Sequence, residues 1–248
     1  MPSEPRGAAL VTGASRGIGR ALAGRLADEG FDLTITGRDL NALEDVADEL
    51  RRRGRAIITV AADMAAEEQV HEVVIRHQYA YHRLDVLVIG AGVGTAGEIE
   101  KYPLPRLDKQ VAVNLRAPFQ LVSECLPLLR QAAAQSPEHG AKIFALASIA
   151  GVVAEPRMAA YNASKAALIS LCETVNLEAS IHGVTATAIS PAYVDTELTA
   201  WLHDEVPQDS MISVEDISEL FTALLRLSPK AVVPNIVIGR AGPTLWRA

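Results

Sequence analysis

Ala8-Ala9-Leu10-Val11-Thr12-Gly13-Ala14-Ser15-Arg16-Gly17-Ile18-Gly19 decides the fold. An apolar run passes through a glycine-punctuated turn directly into a helical pattern, the beginning of a strand–turn–helix unit. Glycines at such a turn allow a tight bend, a close approach of backbone to a ligand and tight packing of helix on strand. The first turn of the helix then offers unpaired N–H groups and a positive dipole end, which suit a pyrophosphate. The spacing is GxxxGxG, which differs from the GxGxxG dinucleotide fingerprint.

Outward from this turn the same rhythm repeats. Short apolar runs lie at Asp32–Thr36, Ala56–Val60, Val86–Ile89, Lys142–Ala147, Val184–Ile189 and Asn235–Ile238. Helical patterns separate them at Gly17–Glu29, Leu40–Arg53, Glu67–His82, Leu104–Arg130, Arg157–Ile181 and Val214–Leu227. Alternation of this kind predicts an α/β fold, a single doubly wound Rossmann-type domain over residues 1–248 with a parallel sheet of about seven strands flanked by helices. Gln131–Gly140 reads as a loop insertion, and Ala192–Ser210 as a long connection of the sort that often forms a lid.

Composition excludes several classes. Of 248 residues, 49% are hydrophobic and 21% charged, within the soluble globular range. The net charge of -7 argues against nucleic acid as a partner. No window approaches the roughly 20 apolar residues of a membrane span, and Met1–Gly7 carries no signal for secretion or anchoring. Cys125 and Cys172 are far apart, with neither disulfide-framework nor zinc-ligand spacing. A cytoplasmic protein is expected. The six histidines show no metal spacing and read as solvated surface, with His203 in the lid kept in view as a substrate contact. Arg51-Arg52-Arg53 reads as a solvated helix end, and Cys172 as a small packing residue.

Cofactor choice is read at the end of the second strand, where an acid would bind the ribose hydroxyls of NAD. The sequence there is Thr36-Gly37-Arg38, with no acid. Arg38 and Arg16 together suit a 2′-phosphate, so NADP is preferred and NAD is the lesser expectation. Asp63, just past the third strand, is a candidate for the adenine amino group.

Tyr161 and Lys165 lie four residues apart on one predicted helix and so share a face. A neighbouring ammonium favours the phenolate, which predicts a lowered tyrosine pKa. Ser148 ends the fifth strand, at the sheet edge where ligands bind. Asn114 falls in the long helical region before it.

These residues together resemble the short-chain dehydrogenase/reductase family over nearly the whole chain. The resemblance rests on Thr12–Gly19, Asp63, the set Asn114, Ser148, Tyr161 and Lys165, and Pro191–Thr196. It implies hydride exchange between a nicotinamide and a carbonyl or alcohol carbon. Tyr161 would donate the proton, Ser148 would bond the carbonyl oxygen, and Lys165 would tune Tyr161 and hold the nicotinamide ribose. Asn114 would place a water in a proton relay. The implied cofactor contacts are Gly13, Ser15, Arg16, Gly17, Ile18 and Gly19 at the turn, with Arg38 and Asp63 at the adenosine end. Gly90, Ala91 and Gly92, then Tyr161 and Lys165, and Pro191, Val194 and Thr196 complete the set.

The sequence departs from the family at Ile89-Gly90-Ala91-Gly92, where most members have Asn-Asn-Ala-Gly, which predicts a looser backbone beside the cofactor. Ala192 replaces the usual glycine, and the tail from Val233 lacks the common Asp-Gly-Gly. The lid carries Tyr193, Leu198, Trp201, Leu202, Val206 and Met211, predicting a largely apolar wall for a neutral or amphipathic substrate such as a 3-oxoacyl compound or another ketone. A homodimer or homotetramer built on the two long helices is implied. The alternative is an NADP-binding regulatory or sensor protein without turnover, which would have no chemical need for the four-residue set.

Overall fold

In a computed structural model, described over residues 5–200 and 206–242, seven parallel strands form one sheet in the order β3-β2-β1-β4-β5-β6-β7. The strands are β1 (Gly7–Thr12), β2 (Phe31–Gly37), β3 (Ile57–Ala61), β4 (Val86–Ile89), β5 (Ala141–Leu146), β6 (Val184–Pro191) and β7 (Asn235–Ile238). Between them run α1 (Gly17–Asp28), α2 (Leu40–Arg51), α3 (Glu67–Tyr81), α4 (Leu104–Val111), α5 (Ala117–Gln135), α6 (Ala159–Ala179) and α7 (Val214–Leu225). The chain winds outward from β1 to β3, then returns so that β4 pairs with the other side of β1. That reversal opens a crevice at the carboxyl ends of β1 and β4, where ligands bind in such sheets.

Alternate residues of each strand supply the two cores. Ala9 and Val11 of β1 pack with α1, α2 and α7, while Leu10 faces α3, α5 and α6. Both faces are thus apolar, as the strands' near-continuous apolar composition requires. Cys125 and Cys172 are buried thiols, pushed up to about 12 by desolvation. No described helix is long and apolar enough to cross a membrane.

Three expectations change. The single helix over Leu104–Arg130 is two helices joined by a wide π-turn at Ala112–Arg116, and the second continues to Gln135. Gln131–Gly140 is therefore a loop only beyond Gln135, because Ala132-Ala133-Ala134 are strong helix formers. The third concerns His77, which is not solvated. The inward face of α3 is Val70, Val73, Val74 and His77, and the imidazole lies between Thr34 Oγ1 (2.7 Å from Nδ1) and the Arg83 carbonyl (2.9 Å from Nε2).

Candidate active site

The glycine turn is shaped by contacts that admit no side chain. A Cβ at Gly19 would stand 2.2 Å from the Gly13 carbonyl oxygen, and one at Gly13 would stand 2.8 Å from the Ala91 nitrogen. Gly13 and Gly17 also have positive φ, 69° and 52°, a region glycine enters without steric cost. At the start of α1, Arg16 makes no side-chain capping bond and the first turn holds no acid. The helix therefore presents its first N–H groups and positive dipole end without an internal anion, an arrangement that fits a phosphate.

Across the crevice, the departure at Ile89-Gly90 is compensated by Thr12. Its hydroxyl accepts the Gly90 and Ala91 N–H groups at 3.0 and 3.2 Å. A Cβ at Gly90 would come within 2.5 Å of the Thr12 carbonyl oxygen. The ends of β1 and β4 are thus tied through Thr12 where the two amide side chains usual in the family are missing.

Ser148 follows β5 and caps the 3-10 turn Ile149–Gly151, its Oγ accepting the Ala150 N–H at 3.1 Å. The same hydroxyl acts to lower the pKa of Tyr161, which projects from the first turn of α6. One turn on, Lys165 is buried and donates from Nζ to the Leu146 carbonyl at 2.6 Å, with its ammonium 5.7 Å from the centre of the Tyr161 ring. The expected lowering of the tyrosine pKa does not occur. Burial pushes the phenol up, only the Ser148 hydroxyl opposes it, and the lysine is turned toward the backbone. Desolvation brings Lys165 down to about 8.

Asn114 sits in the π-turn and is spent on the protein itself. Its Oδ1 accepts the Val93 N–H at 2.9 Å, while Nδ2 donates to the Val93 carbonyl at 2.8 Å and to Ser164 Oγ at 3.0 Å. The side chain braces the loop after β4 with both amide protons engaged. Ser164, which links Asn114 to α6, escaped the sequence reading because nothing in its neighbours marks a buried polar serine.

These elements enclose a cleft of about 330 Å³. It is lined by Gly13, Ser15, Arg16, Gly17, Ile18 and Gly19 from the turn, and by Arg38 and Asp63 at one end. Gly90, Ala91 and Gly92, then Ser148, Tyr161 and Lys165, and Pro191, Val194 and Thr196 line the rest. Of the candidate residues only Asn114 stands behind the wall. Asp63 Oδ1 accepts the Ala65 N–H at 2.9 Å, closing the turn after β3. Arg16 and Arg38 are exposed and have no acidic partner among the described residues.

The substrate half also contains Gly94, Thr95, Ala96 and Met158, none of which the sequence marks. Tyr193 and Leu198 line it as expected, whereas Met211 is buried elsewhere and Val206 is not part of the wall. Lys109, Glu155 and Glu197 line it too, so the wall is more charged than expected. Trp201, Leu202 and His203 lie outside the described residues.

The family model for short chain dehydrogenase matches residues 7–206. The uncharacterized oxidoreductase YxjF of Bacillus subtilis is 30% identical, over 95% of this chain and 97% of its own. Among solved structures, the 3-ketoacyl-(acyl-carrier-protein) reductase of Brucella melitensis complexed with NADH superposes with a TM-score of 0.83 at 26% identity, covering 95% of this chain and 97% of that one. The Pseudomonas aeruginosa RhlG/NADP active-site complex gives 0.84 at 29% identity, covering 96% of each. A family model spanning most of the sheet, and a motif set that folds into one cleft, place the chain in the short-chain dehydrogenase family of oxidoreductases, which act on CH–OH and C=O groups.

Proposed function

We propose that the chain is an NADP(H)-dependent oxidoreductase that interconverts a ketone or aldehyde and its alcohol, with a neutral or amphipathic substrate, 3-oxoacyl compounds among the candidates. The observation that carries this reading is the meeting of Ser148, Tyr161 and Lys165 in the wall of the same cleft that holds the glycine turn. The uncapped start of α1 and the glycines that admit no Cβ fit a pyrophosphate, with Arg16 and Arg38 beside the adenosine end for a 2′-phosphate. When bound, the dinucleotide supplies the hydride donor or acceptor.

The protein's own residues handle the proton. Burial keeps Tyr161 in its phenol form at neutral pH, so it is ready to donate to an oxygen that gains negative charge, the demand of the reducing direction. Ser148, one side of its oxygen engaged with the Ala150 N–H, offers its own proton to the carbonyl oxygen. Lys165, largely charged at neutral pH with a pKa of about 8, keeps its ammonium on the Leu146 carbonyl in the cleft wall, where it would hold the nicotinamide ribose. Asn114 fixes the loop that walls the substrate side. We place the enzyme in the cytoplasm as a homo-oligomer, in accord with its two buried, unbridged thiols.

The test is NADPH and NADH oxidation against a panel of ketones, aldehydes and 3-oxo esters, with dissociation constants for both cofactors. NADPH is expected to bind more tightly. Arg38→Ala is expected to weaken NADPH by about 1.5–3 kcal/mol, the worth of a charge-assisted contact, and to leave NADH nearly unchanged. Equal wild-type affinity for the two cofactors would overturn the NADP assignment.

A further inference from the structure

We infer that Arg240 is a positioning residue of the cleft: stacked on the Tyr193 ring from outside, it pins that ring as the wall met by the longer substituent of a carbonyl ligand. The inference rests on the reading of the cleft as the site of carbonyl reduction. Arg240 belongs to the tail in which the family's common Asp-Gly-Gly is missing, so the resemblance gives it no role.

Strand register brings the two residues together. The last pair of β6 and β7 is Pro191 with Ile238, and the Ala192 N–H donates to the Ile238 carbonyl at 2.8 Å. Two residues further along each parallel chain stand Tyr193 and Arg240, side by side by the same register. The guanidinium carbon lies 5.7 Å from the centre of the Tyr193 ring, inside the roughly 6 Å reach of a cation–π contact. Its Nη1 also donates to Ser210 Oγ at 3.3 Å, which ties the cation to the far end of the lid. The main chain of Tyr193 is held independently. The Ile212 N–H donates to the Tyr193 carbonyl at 3.0 Å, and the Asp195 N–H donates to the Ile212 carbonyl at 2.9 Å. With the backbone fixed, the torsions of the ring are what Arg240 settles.

Tyr193 lines the cleft together with Ser148, Met158 and Tyr161, whereas Arg240 does not. The Tyr193 phenol adds to the upward push on the Tyr161 hydroxyl, so the two phenols are within electrostatic reach. The Tyr161 ring is held by the loop after β4, where a Cβ at Gly94 would stand 3.0 Å from it. Tyr193 has Arg240 instead. A ring free to swing would alter the room beside the reacting carbonyl, so Arg240 acts on the ligand through Tyr193.

The probe is 2-octanone, whose six-carbon chain is long enough to meet a side wall. Wild type, Arg240→Met, Arg240→Lys, Tyr193→Leu and the double variant Arg240→Met/Tyr193→Leu are compared, with melting curves to verify folding; Arg240→Gln replaces Arg240→Met throughout if the latter does not fold. In NADPH oxidation, Arg240→Met is expected to raise KM about two- to fivefold, the worth of an exposed cation–π contact, with the NADPH dissociation constant unchanged. Arg240→Lys, which keeps a cation, is expected to restore most of the loss. Tyr193→Leu changes KM by itself, and adding Arg240→Met to it is expected to change nothing more, because the two residues act as one unit. A second readout needs no turnover. With 3-fluorotyrosine at the five tyrosines, the Tyr193 fluorine resonance, assigned from Tyr193→Phe, is expected to shift in Arg240→Met, and to shift in the wild type when 2-octanone is added to the NADP⁺ form. A resonance indifferent to either change, a KM that Arg240→Met does not move, or an Arg240→Met effect that persists in the Tyr193→Leu background overturns the assignment. Both resonance shifts without any oxidation of NADPH leave Arg240 in place and overturn the reductase reading instead.

Discussion

Tyr161 is held between burial, which pushes its phenol up, and the Ser148 hydroxyl, which pulls it down less strongly. Replacing it by phenylalanine keeps the ring that Gly94 packs against and removes the proton. Turnover of Tyr161→Phe on a substrate found in the panel is expected to fall by at least about 10²–10⁴, the range for general acid catalysis, with the NADPH dissociation constant unmoved. Retained activity would reduce Tyr161 to a packing residue. His77 gives a different expectation. Desolvation holds it at about 4, against 6.5 for the free side chain, so the ring is neutral in the fold, with Nε2–H donating to Arg83 O and Nδ1 accepting from Thr34. Its folded pKa is depressed, so below pH 6.5 the unfolded chain takes up a proton that the folded one refuses until about pH 4. Stability is therefore lost as pH falls through that window. Between pH 7.5 and 5 this residue is expected to remove about 2 kcal/mol, measurable by urea unfolding, and His77→Gln should show a correspondingly smaller drop. An identical drop in both proteins would assign the pH dependence elsewhere. The two residues also differ in legibility. Tyr161, Lys165 and Ser148 announce themselves by spacing and by a strand end. Metal spacing says nothing of His77, whereas its i, i+3, i+4, i+7 relation to Val70, Val73 and Val74 marks the buried face of α3.

At the scale of elements, the strands were legible because a sheet covered on both sides needs uninterrupted apolar runs, and β4 and β7 coincide with the runs at Val86–Ile89 and Asn235–Ile238. The break between α4 and α5 is marked only by Pro118, which lies in the first turn of α5 and has no N–H to continue a helix through it. The apolar period runs on across it and hides the wide turn. What fixes Ala112–Arg116 is tertiary, since Asn114 reaches both polar atoms of Val93 and the hydroxyl of Ser164. Such π-turns frequently occur at functional sites, and here the turn carries the brace of the substrate wall. Asn114→Ala removes three hydrogen bonds and leaves the Val93 groups without partners. A destabilisation of about 2–4 kcal/mol is expected, together with a rise in KM for the ketone that exceeds any change in NADPH affinity. Thermal unfolding and steady-state kinetics check this. If KM is unchanged while stability falls, Asn114 holds only the helix and not the cleft.

For the whole molecule, alternation of strand and helix, with the preference for right-handed crossovers, limits the sheet orders available. The observed order places the glycine turn of β1 against the end of β4, so the cleft follows from topology. Assembly is not legible in the same way, because it depends on which surfaces stay apolar once the chain has folded. Scattered exposed apolar side chains are ordinary. Four of the more exposed fall on or beside the helices that the family resemblance assigns to subunit contacts, Leu104 and Phe119 on α4 and α5, Leu177 on α6, and Ile181 just beyond it, while Tyr79 on α3 and Ile99 before α4 are as exposed and lie elsewhere. A net charge of -7 disfavours association through the acidic surface at large, which directs contact to such apolar patches. Soluble oligomers close by symmetry, so each patch meets its own copy or a fixed partner. Sedimentation at micromolar concentration is expected to give a dimer or a tetramer. Phe119→Glu and Leu177→Glu separate the two: a tetramer that uses both faces falls to a dimer under either variant, whereas a dimer falls to a monomer under only one. A wild type that is wholly monomeric and active at that concentration would show that the exposed residues of α5 and α6 serve no subunit contact.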